Sequence, residues 1–206
     1  MRSLFDDRTS DKFITDRRSV INKLMNKLRR IRGPRILTQL NETTYSELES
    51  QTQNFEPETT KRENVTSSVQ VQKLVMKPYR NTGQLEVTAT TVSGGKNYET
   101  TVMFEDVVYE DSDQSDNVSF TGSDGDEHHI IPIDLSKSNV KVACECLDFY
   151  WRFAPFNSKD GSLHGQPPSP YAKKTDRPPV NKNKTPGVCK HLMKTITELK
   201  QEGVVQ

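Results

Sequence analysis

Cys144 and Cys146 stand one residue apart. After an interval of forty-two residues a second pair, Cys189 and His191, stands one residue apart. These are all three cysteines of a 206-residue chain. Three thiolates and one imidazole form the donor set of a closed tetrahedral zinc site, which leaves no coordination position for water or substrate. The pattern C-x-C … C-x-H thus predicts a Zn2+ ion held by Cys144, Cys146, Cys189 and His191, with a structural rather than a catalytic task. An odd cysteine count argues against a disulfide framework, and a reducing compartment suits zinc thiolates.

Those four side chains need elements that bring them together. Val140, Val142, Cys144 and Cys146 alternate at period two, which on a strand places both sulfurs on one face. A Pro186-Gly187 turn would present Cys189. His191 then falls in the first turn of a helix from Val188 to about Gln201, with Leu192, Ile196 and Leu199 as its buried stripe. The positive end of that helix favours thiolates. The stretch 128–153 reads as β. Its run Phe149, Tyr150, Trp151 and Phe153 is the densest aromatic cluster of the chain, expected to supply core around the metal. Residues 154–187, rich in Pro, Asn, Gly and Lys, read as a long insertion too punctuated for a helix or a central strand.

Upstream, residues 69–109 read as antiparallel β. Val69 and Val71 alternate, as do Leu85, Val87 and Ala89, and then Tyr98, Thr100, Val102 and Phe104. Ser93-Gly94-Gly95-Lys96 is the hairpin turn between the last two runs. Pro78 and Asn81-Thr82-Gly83 punctuate the start of this region. Near the N-terminus Val20, Ile21, Leu24, Met25, Leu28 and Ile31 form a helical stripe, Gly33-Pro34 stops it, and seven Lys/Arg from Arg17 to Arg32 make the other faces basic. Docking of that stripe on another subunit is the expected role. The expected fold is α+β. It comprises a basic amphipathic docking helix (1–37), an extended arm or linker (38–68), an antiparallel β region with an acidic loop (69–137), and a zinc-stapled β-β-α module with a long insertion (138–206).

Composition limits what such a chain can do alone. Only 32% of its residues are hydrophobic and its mean hydropathy is −0.79. That is too little apolar material to give every segment a packed core. A metal crosslink between distant segments would compensate. The net charge of +1 hides blocks. Residues 1–35 hold eleven Lys/Arg against four Asp/Glu, residues 105–127 hold nine acids and no Lys or Arg, and residues 157–200 hold nine Lys/Arg against three acids. Such blocks read as docking surfaces or solvated arms. No segment approaches the ~20 apolar residues of a membrane span. The opening MRSLFDDRTSDKF lacks the apolar run of a secretory signal, so the sequons at Asn41, Asn64 and Asn117 read as chance.

Other chemistry finds little support. Asp111 and Asp113 begin a calcium-loop pattern, but Ser115 and Asp116 break it, so a solvated loop is expected there. Adjacent His128 and His129 would point to opposite faces of a strand and could not chelate one ion together; an exposed or partner-facing pair is expected. His164 sits in a G-S-L-H-G turn without catalytic neighbours. There is no phosphate-binding glycine loop, no G-x-S-x-G and no H-E-x-x-H, and with the thiols committed to zinc no nucleophilic cysteine remains. An enzyme is not expected.

The C-x-C … C-x-H pattern, with a strand bearing the first pair and a helix after the second, resembles the SWIM-type zinc finger over roughly residues 138–202. The resemblance implies a small β-β-α zinc fold that binds DNA or protein, ligated by Cys144, Cys146, Cys189 and His191. The gap of forty-two residues departs from the usual spacing. The run C-E-C-L-D-F-Y-W-R-F-A-P-F-N, followed by G-S-L-H-G, P-P-S-P-Y-A-K-K-T, R-P-P-V-N and P-G-V-C-K-H-L, is similar to SWIM-like proteins of tailed, T4-like bacteriophages, several of which look like virion components. That resemblance implies a structural adaptor in a phage particle (baseplate, tail or neck), assembled in the host cytoplasm, with other virion subunits as partners in a symmetric assembly and no membrane. The alternative is a SWIM-type nucleic-acid-binding protein, for which the basic helix and Lys173, Lys174, Arg177, Lys182 and Lys184 would supply phosphate contacts. A near-neutral net charge weakens long-range attraction to DNA and favours the adaptor.

Overall fold

The alternation seen in the sequence builds a four-stranded antiparallel sheet. In this computed structural model, which describes residues 43–53, 68–112, 116–169 and 181–206, β1 (Gln70–Tyr79), β2 (Gln84–Ser93), β3 (Lys96–Phe104) and β7 (Val140–Cys144) pair in the order β1-β2-β3-β7. Leu85, Val87, Ala89, Thr91 and Ser93 of β2, Thr100, Val102 and Phe104 of β3, and Val140, Val142 and Cys144 of β7 are the buried residues of their strands and alternate with more exposed neighbours. Ser93 pairs with Lys96, and the two residues between, Gly94 and Gly95, carry φ of 59° and 73°. Both central positions of this tight hairpin turn need positive φ, which glycine supplies without steric cost.

Pro78 lies inside β1 rather than before it, opposite Leu85. An edge strand tolerates it because a proline there removes no ladder bond to a second neighbour. Asn81-Thr82-Gly83 does turn the chain, through a short 3-10 helix (Arg80–Thr82) closed by Gly83.

The acidic stretch is not a plain loop. It contributes β4 (Tyr109–Glu110), β5 (Val118–Thr121) and β6 (Glu127–Ile130), a second antiparallel sheet of order β4-β6-β5. Period-two alternation places Phe120, His128 and Ile130 inward while none of the described acids of the stretch is buried. Asp111 of the rejected calcium pattern pairs with Arg80 at 2.7 Å.

Helices depart most from the sequence reading. Within the stretch read as an extended arm, Tyr45–Gln53 forms α1. Thr44 and Glu47 cap it reciprocally: the Thr44 N–H donates to Glu47 Oε2 at 3.0 Å, and the Glu47 N–H to Thr44 Oγ1 at 3.3 Å. Tyr45 and Leu48 are fully buried, so the helix is held by tertiary packing as well as by its cap. Phe149–Phe153, read as strand, forms one turn of π-helix that runs into α2 (Ala154–Asp160), inside the stretch read as insertion. An Asp148–Arg152 ion pair at 3.0 Å spans its first turn, Pro155 sits at the start of α2 where a missing N–H costs nothing, and Gly161 at φ 88° ends it. α3 (Lys190–Gln201) follows the expected stripe, with Leu192, Ile196 and Leu199 at 2% exposure or less. Burial of each contributes about 1.5–3 kcal/mol.

The residues read as separate β region and zinc module share one sheet and one core. β7 pairs with β3, α3 packs on the sheet, and Val204 and Val205 are buried where the chain end bonds to Ile133 and Leu135. The described residues all belong to one compact unit, Asn41–Gln206. The expected helix of 1–37 and most of the arm (38–42 and 54–67) lie outside the described residues, as do the basic residues Lys173, Lys174 and Arg177. No helix among the described residues is long and apolar enough to cross a membrane.

Candidate metal centre

The two distant pairs of the motif meet. One ligand atom from each of Cys144, Cys146, Cys189 and His191 lies within 4.8 Å of all the others, and all four residues are buried. Cys144 is the last residue of β7. Cys146 lies two residues on, where the chain turns out of the sheet and into the helical segment. Cys189 is the extended residue that begins α3 (φ −91°, ψ 169°), and His191 sits in its first turn. His191 turns Nδ1 to the sulfurs, 3.8 Å from Cys144 Sγ and 3.9 Å from Cys189 Sγ. Its ring lies beside Tyr98, with centroids 4.5 Å apart.

The electrostatics of the cluster are compatible with a counter-charge. Backbone N–H groups already point at two of the sulfurs: Cys146 N–H at Cys144 Sγ (3.4 Å) and Phe149 N–H at Cys146 Sγ (3.3 Å). Hydrogen bonds from the Cys144 and then the Cys189 thiol hold the Cys146 thiol well below its ordinary range. The hydrogen bond to Cys146 pushes Cys144 up, and burial foremost pushes Cys189 up. Three thiols this close and this buried cannot all ionise against one another. A divalent cation removes that conflict by supplying positive charge to every sulfur at once. The four residues could therefore hold a metal ion.

A second layer of residues fixes the approach of Cys189, and the sequence reading missed it. Asn157, fully buried on α2, accepts the Gly187 N–H at 2.9 Å and donates to the Gly187 carbonyl at 3.1 Å. Thr52 of α1 accepts the Val188 N–H at 2.9 Å while donating to the Leu48 carbonyl at 2.8 Å. A side chain at Gly187 has no room: a Cβ there would lie 2.6 Å from Thr52 Oγ1 and 2.7 Å from the Phe153 ring. The Pro186-Gly187 turn thus works through close backbone approach. Further along α3, Thr195 donates to the His191 carbonyl at 3.0 Å and lies 2.8 Å from Thr100 Oγ1 of β3, tying the helix to the sheet below the site. Phe149 and Phe153 pack beside the centre, as expected of the aromatic run, whereas Trp151 faces outward.

The remaining histidines are elsewhere. His128 is buried, not exposed as expected: its Nε2 meets Asp124 at 3.0 Å and its ring packs near Phe120 and Tyr109. His129 points the other way and bonds Ser119 Oγ at 2.8 Å. His164 lies 3.7 Å from Glu86. Among the described residues, the Cys144–Cys146–Cys189–His191 set is the one cluster of three or more such groups arranged to hold a metal. No protein-family model, curated protein or solved structure matches this chain.

Proposed function

We propose that this chain is a non-enzymatic structural adaptor of a phage virion, in the baseplate, tail or neck, and that a structural zinc ion staples its C-terminal part. The observation that carries the reading is the closed donor set. Three sulfurs and one nitrogen suit zinc among the common divalent ions, and four protein donors leave no position for a reacting molecule. Zn–S distances of ~2.3 Å and a Zn–N distance of ~2.0–2.1 Å give tetrahedral S···N edges of about 3.6 Å. The separations of 3.8 and 3.9 Å here differ from that by a few tenths of an ångström. The ion would clamp the end of β7 to the start of α3, joining parts of a chain whose apolar content is low. The C-E-C-L-D-F-Y-W-R-F-A-P-F-N run and its companions downstream support the virion placement, with other virion subunits as partners in a symmetric assembly put together in the host cytoplasm.

Elemental analysis of the purified chain tests the staple: one zinc per chain is expected, with a melt that falls sharply in chelator. Absence of zinc, or a melt indifferent to chelator, overturns it. Gradient-purified particles test the placement. The chain is expected to copurify with complete particles at a fixed stoichiometry, and its absence from them overturns the virion reading.

A further inference from the structure

One buried hydroxyl near the candidate metal centre lacks a partner. Tyr45 is among the largest fully buried side chains of the described residues, at 0% exposure, and its phenolic oxygen makes no hydrogen bond there. A buried phenol ordinarily finds an acceptor, because it has given up water and must replace it. Tyr45 is the first residue of α1, and Thr52 lies two turns further along the same face. Thr52 Oγ1 accepts the Val188 N–H at 2.9 Å, so this face of α1 lies along the segment that delivers Cys189. Leu48, between the two, is fully buried as well. Burial foremost, then the charges of Glu49 and Cys189, push the Tyr45 hydroxyl well above its ordinary pKa, so it keeps its proton and remains a donor.

The three sulfurs are not equally supplied. Cys144 Sγ receives the Cys146 N–H at 3.4 Å, and Cys146 Sγ receives the Phe149 N–H at 3.3 Å. Cys189 Sγ, fully buried, meets His191 Nδ1 at 3.9 Å but receives no backbone N–H among the described residues. A divalent ion held by three thiolates and a neutral imidazole leaves one net negative charge in the pocket. Donors aimed at the sulfurs stabilise such a charge and orient the ligands that carry it. Two sulfurs have their donors. The third sulfur and the unpartnered hydroxyl belong to adjoining segments.

We infer that the Tyr45 hydroxyl is the third donor: in the metal-loaded chain it donates to the Cys189 thiolate, positions that ligand and raises the affinity of the centre for its metal. The inference deepens the metal reading of the cluster and rests on it. A coordinated thiol is deprotonated outright, so the acceptor exists in full only once the ion is bound. Tyr45 is a positioning residue, acting on the metal through Cys189. With it α1 contributes twice to the centre, through Thr52 on the backbone before Cys189 and through Tyr45 on the sulfur itself. Glu49, one turn along α1, is the competing acceptor.

The test compares the full chain with its Tyr45→Phe variant, which removes the hydroxyl and keeps the ring, using Co2+ as the probe. Cobalt bound by thiolates shows a sulfur-to-metal charge-transfer band. Affinity for Co2+ is expected to fall roughly 10-fold, the lower end of what losing a ligand-orienting group costs. The band should move to longer wavelength, because a thiolate without its hydrogen bond gives up electrons more easily. In chelator the variant should melt no lower than the parent, since without metal the hydroxyl has no bond to lose. A parent that binds no Co2+ overturns the metal reading and this inference together. A parent that binds it and a variant equal to it in affinity and band overturn the role of Tyr45 alone. So does a variant that binds more weakly with an unchanged band, which would make Tyr45 a packing residue. Should Tyr45→Phe fail to fold, the parent decides. Loaded with a spin-active cadmium isotope, it is expected to show coupling between the Tyr45 hydroxyl proton and the metal through Cys189 Sγ, and a loaded parent without that coupling overturns the inference.

Discussion

Two buried histidines organise two parts of this molecule in different ways. His191, 3% exposed, faces three buried sulfurs at the joint between β7 and α3. His128, 6% exposed, faces one carboxylate, that of Asp124, in the small sheet. Burial is nearly the same, so burial alone does not mark a metal ligand. What differs is the number and softness of the donors within reach. One carboxylate completes a hydrogen-bonded pair and asks for nothing more. Three thiols and an imidazole gathered within 4.8 Å are a soft donor set that a divalent cation could join. The first histidine therefore belongs to a cluster that could hold a metal ion, and the second to a local brace of the β5–β6 turn.

The sharpest way to break this contrast is to remove one sulfur. Cys146→Ser is expected to cost several kcal/mol, because structural zinc supplies on the order of 10 kcal/mol of folding free energy in small modules. A thermal melt with and without chelator checks it. The variant should melt far below the parent and ignore the chelator, while His128→Gln should melt near the parent and keep full chelator sensitivity. Equal effects from the two would erase the distinction between the histidines.

A smaller effect is expected one layer out. Asn157→Ala leaves both the N–H and the carbonyl of Gly187 without their partner, at about 1–3 kcal/mol for each unsatisfied buried group. Because those bonds aim Cys189, metal affinity should also fall, by roughly 10–100-fold, the usual effect of losing a group that orients a ligand. Competition against a chromophoric chelator measures this. A variant that loses stability but binds metal like the parent would make Asn157 a packing residue only. Gly187→Ala is expected to act in the same direction at about 1–3 kcal/mol, as its Cβ collides with Thr52 and Phe153.

The unequal reach of these residues explains what the sequence made legible. The Cys/His cluster could be picked out because metal-ligand chemistry restricts such sets to a few residue types at short local spacing. The β2–β3 hairpin could be read because Leu85, Val87 and Ala89 alternate and Gly94-Gly95 fits one turn geometry. α3 showed its stripe. Asn157 and Thr52 carried no such mark: they act on backbone 30 and 136 residues away, and a single polar residue has no period. The aromatic run 149–153 favours strands intrinsically, and only packing against the core turns it helical. α1 did leave a signal, the T-x-x-E box of Thr44 and Glu47, which the polar composition around it obscured. The join between β3 and β7 spans the whole acidic stretch, so no local pattern announces that the metal centre and the β region share one sheet.

The small-sheet histidine offers the mildest test, and its sign follows from the carboxylate. The His128 N–H, first, and the Asp126 backbone N–H hold the Asp124 carboxyl below its ordinary value. A carboxyl that ionises more readily folded than unfolded contributes stability above its unfolded pKa of about 3.9, and loses it as pH falls through the folded value. Asp124→Asn should therefore lower the melt slightly at pH 7 and leave it unchanged relative to the parent once the pH is well below that range. Asp124 is half exposed, so solvent screens the pair and the effect is expected to be the smallest of the series. Melts of parent and variant from pH 7 down to pH 2 measure it, and the two curves should converge at the acid end. A gap that stays constant across the range would mean that Asp124 shapes the turn without any contribution from its charge.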